Sequence, residues 1–256
     1  IERRVRNLLE LDYPPELIEV VVASDASTDG TDEAVERLAS ADPRVKLLRC
    51  ERGGKVTAQN RGVGESGGEI VAFSDANALW QPDALRKLVR SFADPAVGYV
   101  TGRASYEAPD GTNREGAYWR FELWLRAQES RLGSVTAGTG PISAVRRSEG
   151  VDVQPWCGHD LGLPYLTVQR GRRAVYDPEA VSTEKPSRDI EDEYRRKVRM
   201  LRGAWVHVFR GMLRRVGPVY FVELVSHRLL RYASGILHIA LLVSSAVLVG
   251  EGWIYQ

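Results

Sequence analysis

The sequence predicts an α/β fold: a mainly parallel, Rossmann-like sheet flanked by helices, followed by a C-terminal helix able to cross a membrane. Three observations carry this. Short apolar runs alternate with helical patterns through the first half of the chain. Polar residues, Asp25 and Asp75 among them, stand where those runs end. Residues 232–250 contain no Asp, Glu, Lys or Arg. A βαβα alternation is the pattern of α/β proteins, in which parallel strands are joined through helices. Ligands of such sheets bind at the carboxyl ends of the strands.

The elements follow in order. Residues 1–10 read as a helix with Ile1, Val5, Leu8 and Leu9 on one face. Because a helix already runs from Ile1, the chain is expected to begin inside a domain. Residues 17–23 (LIEVVVA) read as a buried strand and 31–40 as the helix after it. Residues 44–49 form a short strand, 55–64 a helix and 69–73 a strand. Pro82 suits the first turn of a helix reaching to about Phe92, and 97–101 is a further strand. Residues 114–132 place Tyr118, Phe121, Leu125 and Leu132 on one helical face. A Gly-rich turn at 138–141 precedes a strand at 142–145. Residues 158–171 read as helical despite Pro164, 174–176 and 180–183 as two extended pieces, and 190–202 as a strong helix. Ile190, Tyr194, Val198 and Leu201 form the stripe of that last helix, with favourable four-residue charge pairs such as Glu191 and Arg195.

Composition excludes several classes. Hydrophobic residues make up 43% and charged residues 27% of the 256, too apolar for a disordered chain. Lys and Arg number 35 against 34 Asp and Glu, so the net charge of +1 lacks the excess of a dedicated nucleic-acid binder; no nucleic-acid partner is expected. Two cysteines, Cys50 and Cys157, exclude a disulfide scaffold and a Cys-rich zinc site. The four histidines form no HExxH pattern. Ser27-Thr28-Asp29-Gly30 lacks the glycines of a dinucleotide-binding turn, which argues against an oxidoreductase.

The run at 232–250 matches the ~20 residues that cross a bilayer. Arg214, Arg215, Arg228 and Arg231 precede it, which places the main domain on the cytoplasmic side.

Four places could carry chemistry. Asp25, at a strand end, can accept hydrogen bonds from a base or ribose, while Ser27, Thr28 and Asp29 can cap the next helix. Gly53-Gly54-Lys55, with Asn60 following, lets backbone approach a ligand beside a positive charge. Asp75 and Asn77, two residues apart, can share a hard cation such as Mg²⁺ or Mn²⁺. Asp160, after Gly158 and His159, can act as a general base.

In chain order, SDASTDGT, RGGKVTAQN, FSDANALWQPDAL, AGTGPISAVRR, GHDLGLPYLTVQRG and RKVRM resemble the family 2 glycosyltransferases over roughly residues 8–202. A weaker echo continues through Ser226-His227-Arg228-Leu229-Leu230-Arg231-Tyr232. The resemblance is to membrane-anchored bacterial enzymes that build cell-surface polysaccharide or glycolipid. It implies a GT-A, nucleotide-sugar-binding fold and an inverting transfer from a nucleotide diphosphate sugar, usually UDP-linked, to a glycan or lipid-linked hydroxyl, with a divalent cation as cofactor. Asp25, Ser27, Lys55, Asn60, Asp75, Arg196 and Arg199 then fall on the donor, Gly138, Thr139, Gly140 and His159 on the acceptor, Asp75 and Asn77 on the metal, and Asp160 on the catalytic base. The implied organisation is a glycosyltransferase domain at 1–205, an amphipathic connector at 206–231 and a transmembrane helix at 232–250, anchored in the bacterial cytoplasmic membrane with the catalytic domain in the cytosol.

The departures are specific. Asn77 stands for the second aspartate of the family's DxD motif, His159 for the acidic residue before the base, and Arg196 and Met200 for the Gln and Trp of processive synthases. Members of this family begin with a strand and a polar turn, both ahead of residue 1 here, so a gap in the sheet is expected. Asn77 and His159 also keep open an alternative, a non-catalytic relative that binds nucleotide sugar or polysaccharide.

Overall fold

The computed structural model describes residues 1–106, 116–184 and 190–249. Helix α1 (Glu2–Leu9) opens the chain, followed by β1 (Val20–Asp25), α2 (Thr31–Ala41), β2 (Val45–Cys50), α3 (Lys55–Glu65), β3 (Ile70–Phe73), β4 (Leu79–Trp80) and α4 (Ala84–Arg90). The second half holds β5 (Val97–Tyr106), α5 (Ala117–Leu132), β6 (Ser143–Arg146), α6 (His159–Gln169), β7 (Arg173–Glu184) and α7 (Ile190–Phe209). Finally α8 (Pro218–Glu223), a π-helical turn (Leu224–Leu229) and α9 (Leu230–Val247) form one continuous helical run.

The α/β class stands, but the expected mainly parallel sheet is mixed. Strands β1 and β2 pair in parallel as a separate two-stranded sheet. The other five lie in the order β3-β6-β5-β7-β4, where only β5 and β7 pair in parallel. The hydrogen-bonded ladder is therefore interrupted between the β1–β2 pair and the larger sheet. Alternation of apolar runs and helices identifies strands but not their neighbours. Here β6 and β4 enter the sheet against the direction of the rest.

Both faces of the five-stranded sheet are covered, and successive residues divide between them as the pleat requires. Val100, Ala144 and Val175 point to the side of α4, packing with Leu88, Phe92 and Ile142. Tyr99, Val145 and Tyr176 point to the side of α6, packing with Phe73, Val153 and Leu163. A third cluster, Val5, Val20, Val35, Leu38 and Val45, joins α1 and α2 to the small sheet. The extended pieces at 174–176 and 180–183 are one strand, interrupted at Asp177-Pro178-Glu179 by a shift in register against β5. Arg90 holds the bulge, with its guanidinium on Asp177 at 2.9 and 3.0 Å and on Glu179 at 2.7 Å.

Two amphipathic expectations are reversed. On α5, Tyr118, Phe121 and Leu132 are exposed, with Phe121 at 52% and neighbouring Trp124 at 56%. The buried side of that helix is charged: Glu122, Arg126 and Glu129, the last 2% exposed. Counter-charges reach it from the π-helical turn, about one hundred residues away, where no periodicity in α5 could reveal them. On α7, Tyr194, Val198 and Leu201 likewise face outward, while Glu191 and Arg195 pair at 2.9 Å as expected.

The run Pro218–Val247 is long and apolar enough to cross a membrane, with mean hydropathy 1.5 and none of its most apolar stretch buried against the rest of the protein. Gly250 lies outside the described residues.

The charged interior of α5 gives an expected outcome. Glu129→Ala, which leaves the Thr136 amide without its acceptor and His227 with Glu122 alone, should lower unfolding free energy by about 3–5 kcal/mol. Phe121→Ser should stay within about 0.5 kcal/mol. Urea titration of both variants measures the contrast.

Candidate functional site

Strand β1 ends at Asp25 and β2, its parallel neighbour, at Cys50, so the turns that follow lie side by side. The Asp25 carboxylate accepts hydrogen bonds from the amides of Gly53 (2.7 Å) and Gly54 (3.1 Å). Gly54 has φ +86°, a backbone shape that glycine adopts without the steric cost of a Cβ. Ala26, with φ 52°, takes up the left-handed strain at the other turn, and its carbonyl accepts from Arg52 at 2.8 Å. Asp25 thus shapes the loop that delivers Lys55 to the first turn of α3.

Lys55 forms an ion pair with Asp75, which stands past the end of β3. A Cβ placed on Gly140 would lie 3.8 Å from Lys55 Nζ and 3.9 Å from Asp75 Oδ2, so the 138–140 loop closes over this pair. Opposite it is the first turn of α6, with His159 and Asp160. Lys55, Gln59, Phe73, Gly140, His159 and Asp160 line a narrow cleft of ≈ 60 Å³. A wider depression of ≈ 500 Å³ runs along α1, between Arg3, Arg6 and Leu79, away from this group.

Asp160 is held by its main chain. Pro164, four residues on in α6, has no N–H, so the Asp160 carbonyl lacks its usual helical partner. It accepts instead from the Gly138 amide at 2.7 Å. Burial raises the pKa of the Asp160 carboxyl, Lys55 works against that shift, and the charge of Asp75 adds to it. A Cβ on Gly158 would overlap its Oδ1, so any side chain there would push the carboxylate aside.

His159 is buried, and desolvation together with Lys55 pushes its pKa down to about 4, so the ring is neutral at pH 7. The Asn60 amide nitrogen donates to Asp152 (2.8 Å) and to the Val153 carbonyl (2.7 Å). Its oxygen accepts from Val153 N–H (3.2 Å) and sits 3.0 Å from His159 Nε2. An acceptor at that oxygen puts the proton on Nε2 and leaves Nδ1 with a lone pair and no partner. Asn60, expected on the donor, holds His159 from the side of α3.

The remaining predicted residues fall as follows. Gly138 lies against the hydroxyl end of Tyr99, where an added Cβ would overlap Oη. Thr139 is buried, donating its amide to Thr101 Oγ1 (2.7 Å) and accepting from Arg126 (2.5 Å). Asn77 is exposed in the turn after Asp75, and Ser27 is exposed after Asp25. The cap position of α2 is Gly30, with no side-chain cap; Asp29, one residue earlier, accepts from the Thr31 amide and hydroxyl at 3.2 and 2.7 Å. Arg199 is exposed on α7 and makes no bond to the Lys55–Asp75–Asp160 group. The Arg196 side chain lies outside the described residues.

Three neighbours carry no signal in the sequence. Arg4, next to Arg3 in α1, is buried. It donates to Ser74 Oγ at 2.5 Å beside Asp75 and lies 5.0 Å over the Trp80 ring. Burial lowers its pKa to about 10, against the pull of Asp75. Tyr99 and Arg126 support the 138–140 loop from behind. Only their tertiary surroundings distinguish these residues from ordinary core and surface positions.

Asp75 and Asn77 supply oxygen ligands of the kind Mg²⁺ and Mn²⁺ prefer. No group of three His, Cys, Asp or Glu side chains among the described residues could hold a metal. The two fit a cation that takes its other ligands from water and a diphosphate.

Residues 1–149 match the profile of the family described as "Glycosyl transferase family 2". An N-acetylglucosaminyltransferase of Rhizobium meliloti (strain 1021) is 28% identical over 251 residues, covering 87% of this chain and 57% of that protein. A poly-beta-1,6-N-acetyl-D-glucosamine synthase of Staphylococcus aureus (strain COL) is 24% identical over 211 residues, 79% of this chain and 51% of its own length. The chain thus spans little more than half of either relative. A mannosyltransferase from Pyrobaculum calidifontis, solved with GDP-Man and Mn²⁺, superposes with TM-score 0.74 at 27% identity, covering 100% of this chain and 77% of that one. The fold is therefore of the GT-A glycosyltransferase type.

The buried, neutral His159 fixes the sign of a pH effect. Its folded pKa, about 4, lies below the 6.5 of an unfolded histidine. Between these values the unfolded chain binds the extra proton, so stability is full above pH 6.5 and declines as pH falls toward 4. His207, also lowered to about 4 by burial, acts in the same direction. His159→Gln should remove up to one proton from this dependence, read from urea midpoints between pH 7 and 4.5.

Proposed function

The chain belongs to glycosyl transferase family 2, and from that premise we propose that it is the catalytic region of a membrane-anchored inverting glycosyltransferase. It moves a sugar from a nucleotide diphosphate sugar, UDP-linked in this reading, to a hydroxyl of a cell-surface polysaccharide or glycolipid. The observation that carries the reading is that Lys55, ion-paired with Asp75, lines one cleft with Gly140 and Asp160. They come from α3, the turn after β3, the loop before β6 and the start of α6.

In this reading the nucleotide lies along the turns after β1 and β2, against Asp25, Ser27 and the Gly53–Gly54 backbone. Its diphosphate approaches Lys55, with Arg196 and Arg199 of α7 adding positive charge. Asp75 and Asn77 would hold a divalent cation, which when bound supplies positive charge to the diphosphate leaving group. The acceptor sugar packs on Gly138–Gly140 and His159, where glycine backbone permits close approach.

Asp160 takes the proton from the acceptor hydroxyl as its oxygen forms a bond to the anomeric carbon. The bond from that carbon to the diphosphate oxygen breaks on the opposite face. The electron pair leaves with the nucleoside diphosphate, and the anomeric centre inverts. Desolvation of Asp160 strengthens it as a base, while the Lys55 charge works the other way and favours the carboxylate. The raised carboxyl places the acid limb of the rate profile above the usual aspartate range.

The apolar run after Arg228 and Arg231 anchors the domain on the cytosolic face of the cytoplasmic membrane. N-acetylglucosamine and mannose, from the names of the relatives, are the first donors to compare.

A panel of UDP- and GDP-sugars with mass detection of the product should identify a donor. Asp160→Asn should then lower transfer by about 10²–10⁴-fold while leaving Mn²⁺-dependent nucleotide binding, followed by calorimetry, within twofold. An unchanged transfer rate would remove Asp160 as the base, and nucleotide binding with no transfer from any donor would favour the non-catalytic relative. Lys55→Ala should weaken nucleotide binding itself, and loss of transfer with intact binding would argue against its place at the diphosphate.

A further inference from the structure

The echo Ser226–Tyr232 has no part in the proposed chemistry, yet its charged residues are drawn into the protein. His227 and Arg228 are buried on the π-helical turn, and Arg231 follows one turn later at the foot of α9. His227 lies between two carboxylates of α5, with Nδ1 at 2.6 Å from Glu129 and Nε2 at 3.3 Å from Glu122. Arg231 donates to Glu122 at 2.8 Å and stands 5.4 Å over the Tyr118 ring. Arg228 Nε donates to Thr136 Oγ1 at 2.8 Å.

Thr136 leads into the loop over the cleft. Its hydroxyl and amide both donate to Glu129, at 2.8 and 3.2 Å. Two residues on, the Gly138 amide reaches the Asp160 carbonyl. Three residues on, Thr139 receives the Arg126 guanidinium from the same charged face of α5. An unbroken series of bonds thus runs from the foot of the apolar helix to the backbone of Asp160. Well-packed apolar side chains would hold two helices together at less desolvation cost than these charges. What charged and bifurcated bonds add is a single fixed geometry for the groups they touch.

We propose that His227, Arg228 and Arg231 are positioning residues that lock the foot of the apolar helix to the Thr136–Gly140 loop, so that the seating of that helix sets the acceptor wall and the placement of Asp160. The assignment rests on the reading of this loop as the acceptor wall and Asp160 as the base. The lock itself is a structural statement that can be tested without turnover.

The test compares the full chain with Arg228→Ala and Arg228→Lys in detergent micelles. Amide hydrogen exchange by mass spectrometry should show residues 134–140 opening about tenfold faster in Arg228→Ala, as expected for loss of a hydrogen bond to a charged group. Strands β1 and β2 should be unaffected and Arg228→Lys should recover part of the protection. In transfer assays the acceptor KM should rise at least fivefold while Mn²⁺-dependent nucleotide affinity stays within twofold. Unchanged exchange at 134–140, equal acceleration throughout the chain, or nucleotide affinity falling in step with transfer would overturn the proposal. If Arg228→Ala does not fold, Arg231→Gln, whose side chain is half exposed, should loosen the same loop through Glu122. If the unaltered chain transfers no sugar, the functional reading fails and the exchange result alone decides the lock.

Discussion

The hydrogen bond from the Gly138 amide to the Asp160 carbonyl joins the two halves of the cleft. It exists because Pro164 leaves that carbonyl without a helical donor. A residue with an N–H at position 164 would bring a helical donor to the same carbonyl and set it in competition with the Gly138 amide. The loop carrying Gly138 is pressed between Tyr99 of β5 and the charged face of α5, so its freedom to move elsewhere is small. The position of the Asp160 carboxylate relative to Lys55 and Asp75 follows from this contact.

Electrostatics in the cleft are balanced by placement. Asp160 is partly desolvated, which favours its protonated form, and Lys55 offsets the effect. His159 stays neutral because burial and Lys55 both oppose its charge, and Asn60 sets which nitrogen keeps the proton. A neutral imidazole beside Asp160 adds no repulsion to the Asp75–Asp160 pair. An acidic residue at position 159, as in the family motif, would bring a third negative charge into the same space.

The interior of α5 follows a different rule from the rest of the core. Glu122 and Glu129 are desolvated, which pushes their carboxyl pKa values up, but hydrogen bonds from His227 and the arginine charges prevail. Glu122 is held at about 2. Burying such groups is tolerated because each carboxylate meets donors from a segment that folds back from far along the chain. The aromatic residues of α5, displaced outward by this arrangement, stand near the foot of the apolar helix through Tyr118 and Arg231.

Most strands and helices, though not β4 or α8, the polar turns after β1 and β3, the glycines at 53–54 and 138–140 and the apolar run at the end were legible from local periodicity and turn chemistry. A buried strand or a glycine turn carries its reason in neighbouring residues. The mixed sheet, the burial of Arg4, Glu122, Arg126 and Glu129, and the engagement of Asn60 with His159 were not legible, because each depends on a partner between three and about one hundred residues away. The sequence determined which segments are strands and helices and which residues carry charge. Tertiary structure alone decided which charges are desolvated, and desolvation is what turns a carboxylate or imidazole into a group with a defined chemical task.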